Sequence, residues 1–501
     1  MGLMTRAQYI ESLDDGRQVW VSGRKVAKVA EHPALAPMTE AVAQIYDMQA
    51  NPDFEDLLTY QRPDGIRGSR FYKIPETPED LMQRRKMTSA ILGHVSPTMD
   101  RFGDETVTPL FVMVDRKDIC DSFDPRYAAN AARWLDRLQR ENLFMTSGNT
   151  DPKGDRSLQP HEQPDPDMYL RVVEERAGGI VISGAKFETG APYAHVALVK
   201  PTVGNWIDAN ADFAVAAIVP LNAPGVRMHC RMPLTAGGAA AASGYDHPLS
   251  GRFDELDTLM VFDHVFVPWE DVLFCRQPKM AAMMRSEFSR WAAQGYLVRC
   301  LSKAELLVGA ALLVAQHSGT DKIPPVRSKI AQLMMHKQAI EAFVIGSEAA
   351  CKPSPGGFTM PDQAIQNAGR IFCSQSYHHM VQLLREIVGG QPVMLPDEAM
   401  LDGPETRADI EKFFAGGGFA ARERIQAMHL ARELTGSAYA GRTQAYQLFA
   451  ETPVFAQEAA LYATYDRDDA LRMAMKWAGI GDAEETAGAS VPAPVAAMAG
   501  R

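Results

Sequence analysis

The sequence predicts an α+β fold, mainly helical, with helices first and last and a β-rich region between them. Three observations carry that reading. Helix signals dominate residues 1–143, five short apolar runs separated by Gly, Pro and Asn turns crowd into residues 179–267, and long amphipathic patterns resume from Arg285. A chain of 501 residues has room for two or three domains. The expected division is a helical domain over 1–143, a β domain over 144–276, a helical bundle over 277–480 and a mobile Ala-, Gly- and Pro-rich tail over 481–501.

In chain order, Thr77-Pro78-Glu79-Asp80 reads as a helix start, with Thr as N-cap, Pro at the first helical position and carboxylates in the first turn. That helix is expected to run to about Leu92 and stop at Gly93, with a turn over 94–100. A second helix is predicted from Asp124 to Asn142, with Ala128, Ala131, Trp134, Leu135 and Leu138 on one face. A polar loop from Ser147 to Gln163 leads to a short helical segment. Strands are expected at Gly179–Ser183, Val196–Val199, Phe213–Val219, Val226–Arg231 and Leu259–Val267, forming a small antiparallel barrel or sandwich. Helices follow over Arg285–Gln316, after Pro324-Pro325 with Ile330, Leu333, Met334, Ile340 and Val344 on one face, over Asp362–Val388 and over Phe419–Leu434.

The composition is that of an ordinary soluble protein, 46% hydrophobic and 23% charged. A formal charge of −11 and the lack of a Lys/Arg cluster argue against nucleic acid as a partner. No apolar run approaches the roughly 18 residues of a membrane span, and the N-terminus lacks the order of a signal peptide, so a cytoplasmic location is expected. Cys120, Cys230, Cys275, Cys300, Cys351 and Cys373 are scattered, without the close spacing of a metal or cluster site, and no metal is expected.

The most informative stretch runs from Glu141 to Pro201. Its long Gly-, Asn-, Asp- and Pro-rich loop carries Lys153 and Arg156, and a loop of that length in a compact domain is usually held in order by something it binds. Within it, DPKGDR (151–156), QPDPDMYLRVVEE (163–175), GGIV (178–181) and GAK followed by TGA (184–191) resemble the reduced-flavin-dependent 4-hydroxyphenylacetate 3-hydroxylase superfamily, which also contains the 4-hydroxybutyryl-CoA dehydratases. Asp246–Trp269 resembles the second signature of the hydroxylases, and Tyr9–Val26 their opening segment. The resemblance implies an acyl-CoA-dehydrogenase-like architecture, usually tetrameric: a helical domain, a middle β domain and a four-helix bundle.

It also implies a site. Ser147, Gly148 and Asn149 are expected to line the flavin ring, and Lys153, Gly154, Asp155, Arg156 and Thr189 to complete the cofactor site; a guanidinium at Arg156 suits a phosphate or a ring edge. Asp155 and Arg156 could equally pair to stabilise the loop. Gly436, Ser437, Gly441 and Arg442 resemble the segment that closes the flavin site from the far end of the chain, although glycines there also permit close helix packing. The phenol hydroxylases place an Arg and a Tyr after the N-terminal helix and a His in the flavin loop; the corresponding residues here are His94, Thr98 and Ser147. Histidine exchanges protons near neutral pH, so His94 is the expected group for substrate activation, with a helix C-cap as its alternative. Thr98 and Ser147 are expected to orient the substrate, and Thr202 and His195 to face the same cleft. These departures point away from a simple para-substituted phenol acid and toward a heteroaromatic or differently substituted ring.

The reading that follows is the oxygenase component of a two-component monooxygenase. It would hydroxylate a small aromatic molecule through a flavin C4a-hydroperoxide, using molecular oxygen and FADH2 (reduced FAD) from a separate NAD(P)H:flavin reductase. No dinucleotide-binding G-x-G-x-x-G lies in a strand-to-helix context. A dehydratase-like relative lacking the iron–sulfur cluster is the alternative, opposed by Ala292 and Arg299 where the sister branch is expected to place a His and a Cys. A non-catalytic scaffold is the third reading.

Overall fold

A computed structural model describes residues 3–202, 206–235, 243–449 and 453–480. The tail expected over 481–501 lies outside the described residues. The chain opens with helix α1 (Arg6–Ser12), strands β1 (Val19–Val21) and β2 (Arg24–Lys25), helices α2 (Ala36–Ala50) and α3 (Glu55–Leu58), and a hairpin of β3 (Thr59–Gln61) and β4 (Arg67–Ser69). Helices α4 (Pro78–His94), α5 (Thr108–Asp115), α6 (Lys117–Phe123) and α7 (Pro125–Glu141) follow. The predicted start of α4 is present as a capping box: the Asp80 N–H donates to Thr77 Oγ1, and the Thr77 N–H to the Asp80 carboxylate, both at 3.2 Å. Gly93 does not stop this helix, because the Val95 N–H still reaches the Ile91 carbonyl at 2.8 Å. In α7 all five residues of the predicted face are buried, and Asn142 ends the helix in the left-handed region at φ 55°.

The middle of the chain contributes β5 (Met145–Gly148), β6 (Arg171–Arg176), β7 (Gly179–Thr189), β8 (Val196–Val199), β9 (Ala216–Pro220), β10 (Val226–Cys230), β11 (Asp257–Pro268) and β12 (Val272–Phe274). They form two sheets, a six-stranded one in the order β2-β1-β10-β11-β7-β6 and a four-stranded one in the order β12-β9-β8-β5. Neither is wholly antiparallel, since β1 runs parallel to β10 and β5 parallel to β8. The N-terminal segment expected to be helical therefore supplies one edge of the larger sheet. Two further expectations are corrected. The short helical segment before Gly179 is strand β6, and the strand expected to end at Ser183 continues to Thr189. It passes through Gly184 at φ +124°, where a Cβ would run into the Tyr169 carbonyl.

The C-terminal part holds α8 (Pro278–His317), α9 (Pro324–Ala349), α10 (Gln363–Val388), α11 (Glu398–Asp402), α12 (Arg407–Phe414), α13 (Ala421–Thr435), α14 (Ala438–Phe449), α15 (Val454–Thr464) and α16 (Asp468–Ala478). Helix α8 packs on α9, α10 and α13, and α10 on α9 and α13. Pro324 and Pro325 open α9 rather than precede it, and Met334 is exposed while the other four residues of its predicted face are buried. Phe455, Leu471 and Trp477 on α15 and α16 are also exposed. One buried apolar cluster runs from Tyr9 through the strands to Tyr439, joining all three parts of the chain. Among the described residues no helix is long and apolar enough to cross a membrane.

Candidate active site

The chemistry-bearing residues collect where the two sheets meet and the helices from both ends of the chain close over them. Ser147 and Gly148 lie on β5 opposite Leu198 and Val199 of β8. The Ser147 hydroxyl is fully buried and accepts from the Asn149 side-chain amide at 2.8 Å. Thr202, just past β8, donates its hydroxyl to the Asn149 carbonyl and its N–H to Asp151 at 3.2 Å. Asp151 in turn pairs with Lys186 of β7, whose ammonium also donates to the Lys200 carbonyl at 2.6 Å. A loop that sequence alone leaves open is thus pinned to two strands by buried polar contacts.

Beside this lie three buried polar atoms with no hydrogen-bond partner: Asn149 Oδ1, Glu188 Oε1 and Arg101 Nε. Arg101 Nε stands 3.5 Å from Glu188 Oε1, an ion-pair distance without a hydrogen bond, while its Nη1 pairs with Glu105. Burial outweighs the Arg101 charge at Glu188 and pushes that carboxyl up to about 8. Native interiors rarely leave such groups unsatisfied, so a ligand bound here would complete their hydrogen bonding.

Next to it a buried ionic network ties the three parts of the chain together. Arg442 of α14 donates to Asp257 of β11 at 2.8 and 3.1 Å and to Asp100, in the segment after α4, at 2.9 Å. Asp257 also accepts from the Thr189 hydroxyl at 2.7 Å and from Arg231 at 2.9 Å, and Asp100 pairs with Lys303 of α8. Glu255 accepts the Asp100 and Arg101 N–H groups at 2.8 and 3.0 Å; burial, reinforced by the Asp100 charge, pushes it up to about 7. The Thr98 hydroxyl meets Tyr439 Oη at 2.6 Å. Arg442, Lys303 and Arg101 also lie over the ring of Tyr446 in α14, at 4.7, 5.6 and 5.9 Å.

Comparison with known proteins finds likeness over nearly the whole chain. Residues 5–274 match the profile described as 4-hydroxyphenylacetate 3-hydroxylase N terminal, and residues 280–479 match its C-terminal counterpart. The chain belongs to the 4-hydroxyphenylacetate 3-hydroxylase family. The FADH(2)-dependent monooxygenase TftD of Burkholderia cepacia is 31% identical, with 93% of this chain and 90% of that protein covered. The 4-hydroxybutyryl-CoA dehydratase/vinylacetyl-CoA-Delta-isomerase of Clostridium aminobutyricum is 30% identical over 82% of this chain and 86% of that protein. The crystal structure of the oxygenase component of 4-hydroxyphenylacetate 3-monooxygenase, complexed with FAD and 4-hydroxyphenylacetate, superposes with a TM-score of 0.86 at 28% identity, over 95% of this chain and 98% of that one.

In this member of the family the expected residues divide sharply. Ser147, Gly148, Asn149, Thr189, Thr202, Thr98 and Arg442 come together at the junction just described. Lys153 and Arg156 are exposed on the loop, and among the described residues neither carries a side-chain hydrogen bond or ion pair. Asp155 does not pair with Arg156; it accepts from the Ser157 N–H at 2.9 Å and the Ser157 hydroxyl at 2.6 Å in an Asx turn. Gly154, at φ +52°, lies where a Cβ would press on Gln163 and Tyr169. Gly436 caps α13, Ser437 caps the start of α14 through the Ala440 N–H at 3.1 Å, and Gly441 lies inside α14. A Cβ on Gly436 or Gly441 would meet nothing within 4 Å, so close helix packing is not what these glycines serve.

Two expectations are corrected. His94 is exposed at the end of α4 with its ring 5.0 Å from that of Phe54, whereas Thr98 and Ser147 are buried, and α4 runs two residues past the predicted Leu92. His195 does not face the cleft: Nδ1 accepts from the Phe144 N–H at 2.9 Å and Nε2 lies 2.8 Å from Ser12 Oγ. Burial holds this imidazole down at about 4, so it is a neutral strut between α1 and β5. The residues sequence reasoning missed are Arg101, Glu188, Lys200, Asp100, Glu255 and Asp257. A legible signal existed for some: Lys186 and Glu188 alternate along β7, and Lys200 directly follows the apolar run of β8, so charge is placed on buried positions.

The residues present fit a flavin. A flavin needs a flat apolar slot, ring-edge hydrogen bonds and cationic donors for its phosphates. Unsatisfied Asn149 Oδ1 and Arg101 Nε provide a buried acceptor and donor, Lys153 and Arg156 unpaired cations, and Gly436 and Gly441 open space.

Proposed function

We propose that this protein is the oxygenase component of a two-component flavin-dependent monooxygenase that hydroxylates a small aromatic molecule. It would take FADH2 from a separate NAD(P)H:flavin reductase. The observation that carries the reading is the set of unsatisfied buried polar atoms beside Ser147, in a chain that matches the hydroxylase family from residue 5 to 479. When bound, the reduced flavin supplies oxygen activation. Ser147, Gly148, Asn149 and Thr189 would border its ring, Lys153, Gly154, Asp155 and Arg156 its phosphates, and Gly436, Ser437, Gly441 and Arg442 its far edge. The chain's own contribution is to bind and orient both partners, exclude water and manage the substrate's proton. Thr98, hydrogen-bonded to Tyr439, and Thr202, hydrogen-bonded to the Asn149 carbonyl, would orient the aromatic ring.

The finer division into domains over 1–143, 144–276 and 277–480, a cytoplasmic location and a homotetramer belong to the same proposal. Exposed Phe455, Leu471 and Trp477 offer apolar surface for subunit packing. The dehydratase reading has one observation against it. Arg299, at a position expected to be a cluster ligand in that branch, is buried, paired with Asp104, and held 4.2 Å over the Phe102 ring.

The test is rapid mixing of the purified protein and FADH2 with oxygenated buffer, with and without a panel of phenols and N-heteroaromatic acids. Oxygen-dependent hydroxylated product supports the reading. Stoichiometric peroxide with every compound, from protein that binds FADH2, counts against it, and iron with sulfide in the purified protein would turn the reading to the dehydratases.

A further inference from the structure

Lys200 is a group at this junction that the site as described does not employ. It follows β8 directly, its N–H donates to the Gly148 carbonyl at 3.4 Å, and the residue is 4% exposed. Among the described residues its ammonium makes no hydrogen bond and no ion pair, and it lies 4.4 Å over the ring of Phe288 from α8. The nearby charges are committed elsewhere. Asp151 of the loop after β5 is taken by Lys186 and by the Thr202 N–H, and Glu188 of β7 stands against Arg101 of the segment after α4.

An unpaired buried ammonium is strongly disfavoured, so the group either rests as a neutral amine or awaits an anion. Burial first, and then the like charge of Lys186, pull Lys200 down to about 7. The neutral amine is therefore well populated at neutral pH and can accept a proton.

We propose that Lys200 takes the proton from an acidic hydroxyl on the aromatic substrate and holds the resulting oxyanion, with the Phe288 ring as a wall for the substrate's face. The step balances simply: the substrate O–H breaks, the N–H bond forms on Nζ, and the electron pair stays on oxygen. No redox partner is required. The oxyanion makes the ring electron-rich, which is what an electrophilic oxygen donor needs. The proposal rests on the monooxygenase reading, and it places substrate activation on a buried amine rather than on exposed His94.

The probe is 4-nitrophenol, whose phenolate is coloured. It is titrated with pH on the full-length protein loaded with FADH2 without oxygen, for wild type, Lys200→Met and Lys200→Arg. On wild type the bound phenol should ionise at a proton concentration at least about tenfold higher than on Lys200→Met. Lys200→Arg, permanently charged, should bind phenolate but lose the step that reports the amine's own titration. Identical titrations in wild type and Lys200→Met, or no bound phenolate on wild type, would overturn the proposal. Should Lys200→Met not fold, an unchanged titration in Lys200→Arg overturns it equally. The two readings fail separately. A lost product with the spectral shift intact defeats the monooxygenase, whereas product formed by Lys200→Met with the wild-type pH profile defeats Lys200.

Discussion

Arg442 and Asp100 lie 342 positions apart in the chain and share a buried hydrogen bond of 2.9 Å. Arg442 also neutralises Asp257, so a residue of the last third of the chain balances carboxylates from the segment after α4 and from β11. Removing it leaves Lys303 as the one remaining described ion-pair partner of Asp100 and Arg231 as that of Asp257. Arg442→Met should destabilise the fold by about 3–5 kcal/mol, measured by urea unfolding, and should weaken FADH2 binding in whatever fraction remains folded.

Arg156 presents the opposite case, an exposed cation with no hydrogen bond or ion pair from its side chain among the described residues. Arg156→Ala should leave stability within about 0.5 kcal/mol of wild type. If it contacts a flavin phosphate, FADH2 affinity should fall roughly tenfold to a hundredfold, because a hydrogen bond to a charged group is lost. Equal affinity, measured by anaerobic titration, would remove Arg156 from the cofactor site.

Gly441 separates protein stability from ligand binding within one substitution. With nothing within 4 Å of a new Cβ, Gly441→Ala in α14 should raise the stability of the flavin-free protein by roughly 0.5–1 kcal/mol. The same methyl should weaken FADH2 binding if that open space is filled by the cofactor. A stabilised variant with unaltered affinity would place the flavin elsewhere.

Glu188 should leave a signature in the pH dependence of stability. Its carboxyl, at about 8 in the folded protein against an ordinary 4.5, keeps a proton that the unfolded chain has already released between those values. Its stabilising contribution is therefore complete below the ordinary range and lost as pH rises through about 8. Glu188→Gln cannot ionise, so its unfolding free energy should decline less than that of wild type over this window. Parallel curves would show that Glu188 is ionised in the folded state.

His195 is expected to matter for structure and not for turnover. His195→Ala leaves the buried Phe144 N–H without an acceptor and should cost about 1–3 kcal/mol, read from thermal or urea unfolding. Product formation per folded molecule should stay at the wild-type level with an unchanged pH profile. A shifted profile would return His195 to the cleft.

Much of this molecule was legible one residue at a time. The Thr77-Pro78-Glu79-Asp80 start of α4, the buried stripe of α7 and the apolar run of β8 all follow from caps and periodicity that depend on near neighbours alone. The family motifs around Asp151–Arg156 and Asp246–Trp269 likewise pointed to the loop and strand that border the junction. Local rules failed where a distant contact overrode them. Arg171–Arg176 is a strand because β7 offers it an edge, and the charges at Lys186 and Glu188 hid the second half of β7 because their partners, Asp151 and Arg101, come from other segments.

The sequence by itself determined the order of helices, strands and helices, the family, and the residue types available for a flavin. Only the tertiary structure decided which of them meet. It buried Lys200, Glu188 and Arg101 beside Ser147, joined Arg442 to Asp100, and left His94 at the surface. The physical reason is that helix and strand signals act over a few residues, whereas burial, ion pairing and the resulting pKa shifts depend on side chains brought close by packing from every part of the chain.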